Sequence, residues 1–311
     1  MTVRIELLPD RGFAANAQEF FRSPQFLRGE GVSHSLIVEN TRGRATIPVL
    51  LRDIPGSGVD AISPYGYPGG SVEGEPPDPT DADWSATGLV SLFVRDRVGR
   101  PTLQGGTARS RLLLHDPARP RKMSETFSYQ VRRNGRNGYT TELIPGQDVD
   151  TDTLTGFADA YRETMNRANA EARYFFPTEY LRDCLDFEQS WLTVVWTPGH
   201  EMAAGTISVI SDGILHYYLG ATADRHRAAS PGKNGFNRLL DLSDELGTPL
   251  NLGGGLAPGD GLEAFKYGFS NTENVFVTHE VVCDAEAYAE LSHSSAAHGT
   301  FFPAYRAPTP G

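Results

Sequence analysis

The stretch PGKNGFNRLLDLSDELGTPLNLGGG, Pro231–Gly255, decides how this chain is read. Asn234–Gly247 reads as a helix closed by Gly247, glycine being the residue best suited to the left-handed turn that ends helices. PLNLGG then reads as a strand running into glycines. Upstream, SWLTVVWT (Ser190–Thr197), GTISVISD (Gly205–Asp212) and ILHYYLGAT (Ile214–Thr222) read as successive strands, the last two joined at Asp212-Gly213, a hairpin signal. Before them, Leu154, Phe157, Ala158, Tyr161 and Met165 form an apolar face behind Thr and Asp caps, and TEYLRDCLDF reads as a shorter helix. Downstream come a short helix in GLEAFKYGF, a long strand over Glu273–Asp284 and a closing helix over Ala285–His293. The order helix, helix, three strands, helix, strand, helix, strand is an α+β pattern.

The first half is hairpin-rich. VRIELL, HSLIVEN and ATIPVLLRD read as strands, the last two paired across TRGR, and SRLLLH and YTTELI as two more. Asp81–Gly99 is expected to be helical, with Trp84, Leu89, Leu92 and Phe93 near one face. SETFSYQVRRNGRNG is read as a helix opened by Ser124 and ended at Gly138, although its two Asn-Gly pairs also suit tight turns. Each half has a hairpin of apolar strands and a strand entering a glycine-rich turn, ISPYGYPGG in one and LNLGGGLAPGDG in the other. Two related domains are therefore expected, 1–148 and 149–311.

The 311 residues, 39% hydrophobic and 22% charged, are enough for one large or two medium cores. A formal net charge of −11 gives no general field for nucleic acid, so a polyanion would need a local basic patch. RPRKMSETFSYQVRRNGRNG supplies one, holding Arg119, Arg121, Lys122, Arg132, Arg133 and Arg136, although such a run also suits a solvated helix face. The two cysteines, Cys184 and Cys283, suggest neither a disulfide framework nor a metal site, and no long apolar run is present. A cytoplasmic protein with no membrane span is expected and, for want of a coiled-coil seam, a monomer.

NLGGGLAPGDGLEAFKYGFS, Asn251–Ser270, is where chemistry is expected. Its glycines suit close backbone approach to a ligand and equally a wide turn; neither the GxxxxGK[ST] phosphate loop nor the dinucleotide pattern is present. In EAFKYGF, Phe265 and Phe269 lie four apart and can anchor a turn that holds Lys266. An ammonium in so apolar a setting calls for an anion or a developing oxyanion, unless it is simply solvated. Asp260 is the nearby candidate for orienting an amine. His216 and His226 read as ordinary histidines, no GxSxG or similar nucleophile motif accompanying them.

Together, Phe157–Asp183, Ile214–Thr222, Pro231–Gly255 and Leu262–Ser270 resemble the Fem-like branch of the GNAT acyltransferase superfamily, as SPYGYPGG and RRNGRNGYTTEL do more thinly. The resemblance implies tandem GNAT-like domains of mixed sheets flanked by helices with a cleft between them. It implies transfer of an amino acid from aminoacyl-tRNA to the amine of a peptide or carrier-bound peptide acceptor, in natural-product or cell-wall precursor synthesis, with no cofactor beyond that co-substrate. It makes Lys266 of the FK.GF element the catalytic lysine. Tyr65, Tyr67, Tyr217 and Phe265 become substrate-binding candidates, and Arg132, Arg133, Arg136 and Lys233 contacts for tRNA phosphates. CoA-using relatives carry an (R/Q)xxGx(G/A) loop where this chain reads RAASPGKNGFNRLL, a departure that favours a donor other than free CoA. An acyl-CoA or carrier-protein donor remains the alternative.

Overall fold

The computed structural model describes residues 3–12, 14–255, 259–293 and 301–307. In chain order the elements are β1 (Arg4–Pro9), α1 (Pro24–Gly29), β2 (His34–Glu39), β3 (Gly43–Ile54), β4 (Gly58–Ile62), β5 (Ser71–Gly74), β6 (Ser91–Arg95) and β7 (Thr107–His115). They continue with α2 (Glu125–Arg136), β8 (Thr140–Pro145), α3 (Thr151–Arg167), α4 (Thr178–Leu185), β9 (Ser190–Trp196), β10 (Met202–Ser211) and β11 (Ile214–Thr222). The last are α5 (Gly232–Leu246), β12 (Leu250–Gly253), α6 (Gly261–Tyr267), β13 (Thr272–Val282) and α7 (Ala285–His293).

Backbone contacts divide the chain into two compact units, Met1–Ser110 with Val275–Gly311, and Arg111–Asn274. In the first, β1, β2, β3 and β4 pair antiparallel in that order, β4 pairs parallel with β6, and β6 pairs antiparallel with Thr278–Val282 of β13. Its core gathers Leu36, Val38, Ile47, Val49, Leu92 and Leu103. The tail is held here: buried Asp60 accepts from Tyr305 Oη at 2.9 Å, Arg306 Nε at 2.6 Å and Arg52 Nε at 2.8 Å.

Two sequence expectations fail in this unit. Asp81–Gly99 is not a helix: Trp84–Thr87 makes one 3-10 turn, Gly88 at φ 69° ends it, and Ser91–Arg95 enters the sheet. The boundary at 148/149 also falls elsewhere, since β8 pairs antiparallel with β9 over six residues and so belongs to the second unit. The first unit is instead completed from the far end of the chain.

In the second unit the sheet order is β7, β12, β11, β10, β9, β8, with β11 and β12 parallel and the other neighbours antiparallel. This is a mixed sheet, as the family resemblance implies. Asp212 and Gly213 both take positive φ, 54° and 73°, in the tight β10–β11 hairpin. Helix α3 starts on Asp150, whose carboxylate accepts from Thr153 N at 2.7 Å, and α5 ends at Gly247 with φ 63°. Phe236, Leu239 and Leu240 of α5 pack with Leu113, Leu215 and Leu250 of the strands to form the core.

Candidate active site

Every element of the candidate site lies in the second unit. Strand β11 sets the floor. Its pairing with β10 shifts register between Ile207 and Ser208, which face Leu219 and Tyr217, so Tyr218 is the extra residue of a bulge. The bulge breaks the two-residue alternation and turns Tyr217 and Gly220 to one face. A Cβ on Gly220 would sit 1.9 Å from the Tyr217 hydroxyl, so glycine is what lets that ring lie flat along the strand. Tyr217 packs 4.7 Å from Phe236, whereas Tyr218 hydrogen-bonds Tyr180 through the hydroxyls at 2.5 Å on the other side. Burial pushes the Tyr217 phenol up to about 12.

Helix α6 brings the lysine to this floor. Asp260 caps the helix, its carboxylate accepting from Glu263 N at 2.7 Å. Phe265 and Phe269 flank Phe127 of α2 at 5.5 and 4.9 Å and Phe236 of α5 at 5.0 and 5.3 Å. Gly268 permits that approach, because a Cβ there would meet the Phe127 ring at 2.2 Å. The aromatic anchors of FK.GF thus hold the turn as the spacing of Phe265 and Phe269 suggested. Lys266, only 6% exposed, donates from Nζ to the Gly254 carbonyl at 2.8 Å, with Nζ 5.5 Å from the centre of the Tyr217 ring. Burial pulls its ammonium down to about 8, against the opposing pull of the Asp260 charge. Of its three N–H groups, one is satisfied among the described residues, leaving two for a ligand.

Sequence reasoning missed Glu263. This buried carboxylate accepts from Gly259 N and from Arg111 Nε and Nη2 at 2.9 and 2.7 Å, tying Gly259, just before α6, to the middle of β7. The Gly259 N–H and then the Arg111 guanidinium hold its carboxyl below the usual range. The signal was present: Asp260 and Glu263 stand at capping-box spacing. Leu256–Pro258, the middle of the glycine-rich stretch, lie outside the described residues.

Beside α6 opens a cavity of about 800 Å³ lined by Phe127, Gly261, Ala264 and Phe265, by Thr222, Ser230, Gly232 and Lys233, and by Arg167 and Arg227. The α5 terminus beside it has no side-chain cap; Lys233 N and Asn234 N donate instead to the Ser230 and Pro231 carbonyls at 3.2 and 2.9 Å, and the helix dipole puts its positive end here. Lys233 Nζ lies 4.5 Å over the Phe127 ring, its ammonium lowered by desolvation, while Arg167 pairs with Asp224. Asn134 fixes this terminus from α2, donating to Asn234 Oδ1 at 2.7 Å and to the Ala229 carbonyl at 2.9 Å. No carboxylate lines the cavity among the described residues.

The second unit therefore brings together Lys266, Asp260, Tyr217, Phe265 and Lys233. Asp260 is engaged as a helix cap. Arg132, Arg133 and Arg136 stand exposed on α2, whereas Arg121 is drawn to Asp241 at 2.6 Å and Arg119 to Asp116 at 3.3 Å, which shrinks the basic patch. Tyr65 and Tyr67 belong to the first unit: Tyr65 N donates to Glu30 at 2.9 Å, and Tyr67 packs edge-on to Phe21 and Phe276. His216 is buried and pushed down to about 4, accepting from Asn251 Nδ2 at 3.2 Å, and has no access to substrate. Among the described residues no group of three or more His, Cys, Asp or Glu is placed to hold a metal, and no helix is long and apolar enough to cross a membrane.

Residues 121–266 match the model of the acetyltransferase (GNAT) domain, a span that includes α2 through Lys266. No curated protein sequence matches the chain. Among solved structures, FemX is similar over 88% of this chain and 97% of its own, at 11% identity and TM-score 0.54. L-PGS from Bacillus licheniformis is similar over 80% and 84%, at 12% identity and TM-score 0.53. The C-terminal domain of a putative lysylphosphatidylglycerol synthetase from Agrobacterium fabrum is similar over 88% and 89%, at 14% identity and TM-score 0.55. Residues 121–266 thus resemble the acetyltransferase (GNAT) domain, and the chain shares its fold with FemX and with these two lysylphosphatidylglycerol synthetase-type structures.

Proposed function

We propose that this acyltransferase takes an amino acid from aminoacyl-tRNA and places it on the amine of a peptide or peptide-like acceptor by direct attack. The observation that carries the reading is Lys266, a buried ammonium with two uncommitted N–H groups on α6, the helix whose Gly261, Ala264 and Phe265 line the cavity. The ester carbonyl would sit against Nζ; the acceptor nitrogen forms the new C–N bond, and the carbonyl oxygen gains charge that Lys266 meets with a hydrogen bond. Collapse breaks the C–O bond to the ribose, and the proton lost by the amine ends on the departing oxygen. An activated ester requires little beyond alignment and this charge, so no covalent enzyme intermediate is invoked.

Lys233, the positive end of the α5 dipole and Arg227 offer positive charge for a phosphate of the donor, while Phe127 and Phe265 offer apolar walls for its acyl end. RAASPGKNGFNRLL lacks the pyrophosphate loop of CoA users, which supports a donor other than free CoA. A user of charged tRNA would work in the cytoplasm, and we take the monomer as the working form. The test supplies a panel of labelled aminoacyl-tRNAs with a soluble amine acceptor, each with and without RNase. Transfer that RNase abolishes, and that Lys266→Ala lowers about 100-fold or more, supports the reading; transfer from acyl-CoA alone overturns it in favour of the CoA alternative.

A further inference from the structure

The outward face of α2 is unused by the chemistry above. Its inward face is committed: Phe127 to the aromatic cluster, Gln130 and Asn134 to the Ala229 carbonyl at 3.0 and 2.9 Å. At spacings of three, four and seven, Tyr129, Arg132, Arg133 and Arg136 share the opposite face, all exposed. The other described arginines of this unit, Arg227 at the cavity excepted, have carboxylate partners, among them Arg111 with Glu263, Arg121 with Asp241, Arg167 with Asp224 and Arg238 with Glu245. The three on α2 make no ion pair or side-chain hydrogen bond among the described residues. Three crowded guanidinium groups without counter-charge, in a chain of net charge −11, are complementary to a polyanion and to little else on this protein.

We infer that this face receives the end of an RNA duplex that continues into an unpaired tail, the guanidinium groups of Arg132, Arg133 and Arg136 on successive phosphates and the Tyr129 ring under the first unpaired base. The inference rests on the donor reading above and names the surface that delivers that donor. From Arg132 to Arg136 the helix rises about 6 Å, which keeps the three guanidinium groups within reach of neighbouring phosphates of one strand. Tyr129, 53% exposed, lies toward the end of α2 that carries Phe127, a wall of the cavity, so a tail leaving the duplex there is directed to it. An anionic membrane would be drawn by the same charge, but a membrane-lying helix presents a broad apolar stripe, and this face offers one tyrosine. Guanidinium groups beside an exposed aromatic ring match phosphate plus stacked base.

The experiment measures binding of the full chain to bulk deacylated tRNA as salt is raised, for the unaltered protein, Arg132→Gln/Arg133→Gln/Arg136→Gln, and a charge-matched control, Arg42→Gln/Arg162→Gln/Arg173→Gln. The α2 triple should flatten log K against log salt by about 2.7, three contacts at about 0.9 each, with the control triple unchanged. Tyr129→Ala should weaken intact tRNA about fivefold or more and make no difference to tRNA trimmed of its unpaired 3′ tail. Equal flattening in both triples, no tRNA binding by the unaltered chain, or an α2 triple that loses phosphatidylglycerol vesicles but not tRNA overturns the inference. Transfer from charged tRNA with an unchanged tRNA KM in the α2 triple would overturn the surface and leave the donor reading standing, whereas absence of tRNA-dependent transfer in the unaltered protein removes both.

Discussion

Replacing Lys266 by Met should make the protein more stable and nearly inactive. The ammonium sits almost wholly out of water, and its fall from 10.5 to about 8 corresponds to about 3 kcal/mol against the charged form in the fold. Methionine has a similar length and no charge, while the Gly254 carbonyl loses a donor, at a cost of about 1 kcal/mol. The net gain at pH 7 is therefore about 2 kcal/mol. Its pH dependence carries a sign. Below pH 8 both folded and unfolded chains hold the proton and the full burden is felt; between about 8 and 10.5 the unfolded chain still holds it while the folded one has released it, so the unaltered protein gains stability as pH rises. The advantage of Lys266→Met should narrow by about 2 kcal/mol between about pH 7 and 9.5. Urea unfolding of both proteins at the two pH values reads this directly, with transfer assayed alongside. A Met variant that is less stable at pH 7, or whose advantage does not shrink with pH, would refute the buried-ammonium argument.

The geometry sets three further outcomes. Gly220→Ala should displace the Tyr217 ring, whose hydroxyl lies 1.9 Å from the added Cβ; overpacking of this kind costs about 1–3 kcal/mol, and transfer should fall with it, checked by thermal unfolding and kcat. Glu263→Gln should loosen the segment before α6 and misplace Lys266, lowering kcat by about tenfold to 100-fold with the tRNA KM little changed. His216, neutral in the fold with its ring pushed down to about 4 by burial, supports stability that is complete above pH 6.5 and declines as pH falls toward 4, by about 3 kcal/mol; His216→Gln should flatten that acid limb in urea titrations.

Local signals carried far in this sequence. The Asp212-Gly213 hairpin, the Asp150 cap, the Gly247 helix end and the anchoring of FK.GF by Phe265 and Phe269 each depend on neighbours a few residues apart, and each is found where the pattern put it. What escaped the sequence depends on residues far apart. Leu92 and Phe93 satisfied a helical spacing, but their segment is a strand because Ala61 and Ile62 pair with them on one side and Val281 and Glu280 on the other. No pattern near Arg111 announces that Glu263, 152 residues later, will hold it, nor that Asp241 and Asp244 will take Arg121 out of the basic patch. The bulge that aims Tyr217 is a matter of register between β10 and β11, which alternation alone cannot locate.

The central claim is that this site takes its acyl group from tRNA. The most direct measurement gives the protein one labelled amino acid as its tRNA ester or as its CoA thioester, with the same amine acceptor, in single-turnover reactions with and without RNase. Rapid transfer from the ester, abolished by RNase and by Lys266→Ala, with no transfer from the thioester, is the result expected. Transfer from the thioester at an equal or greater rate, indifferent to RNase, would contradict the account.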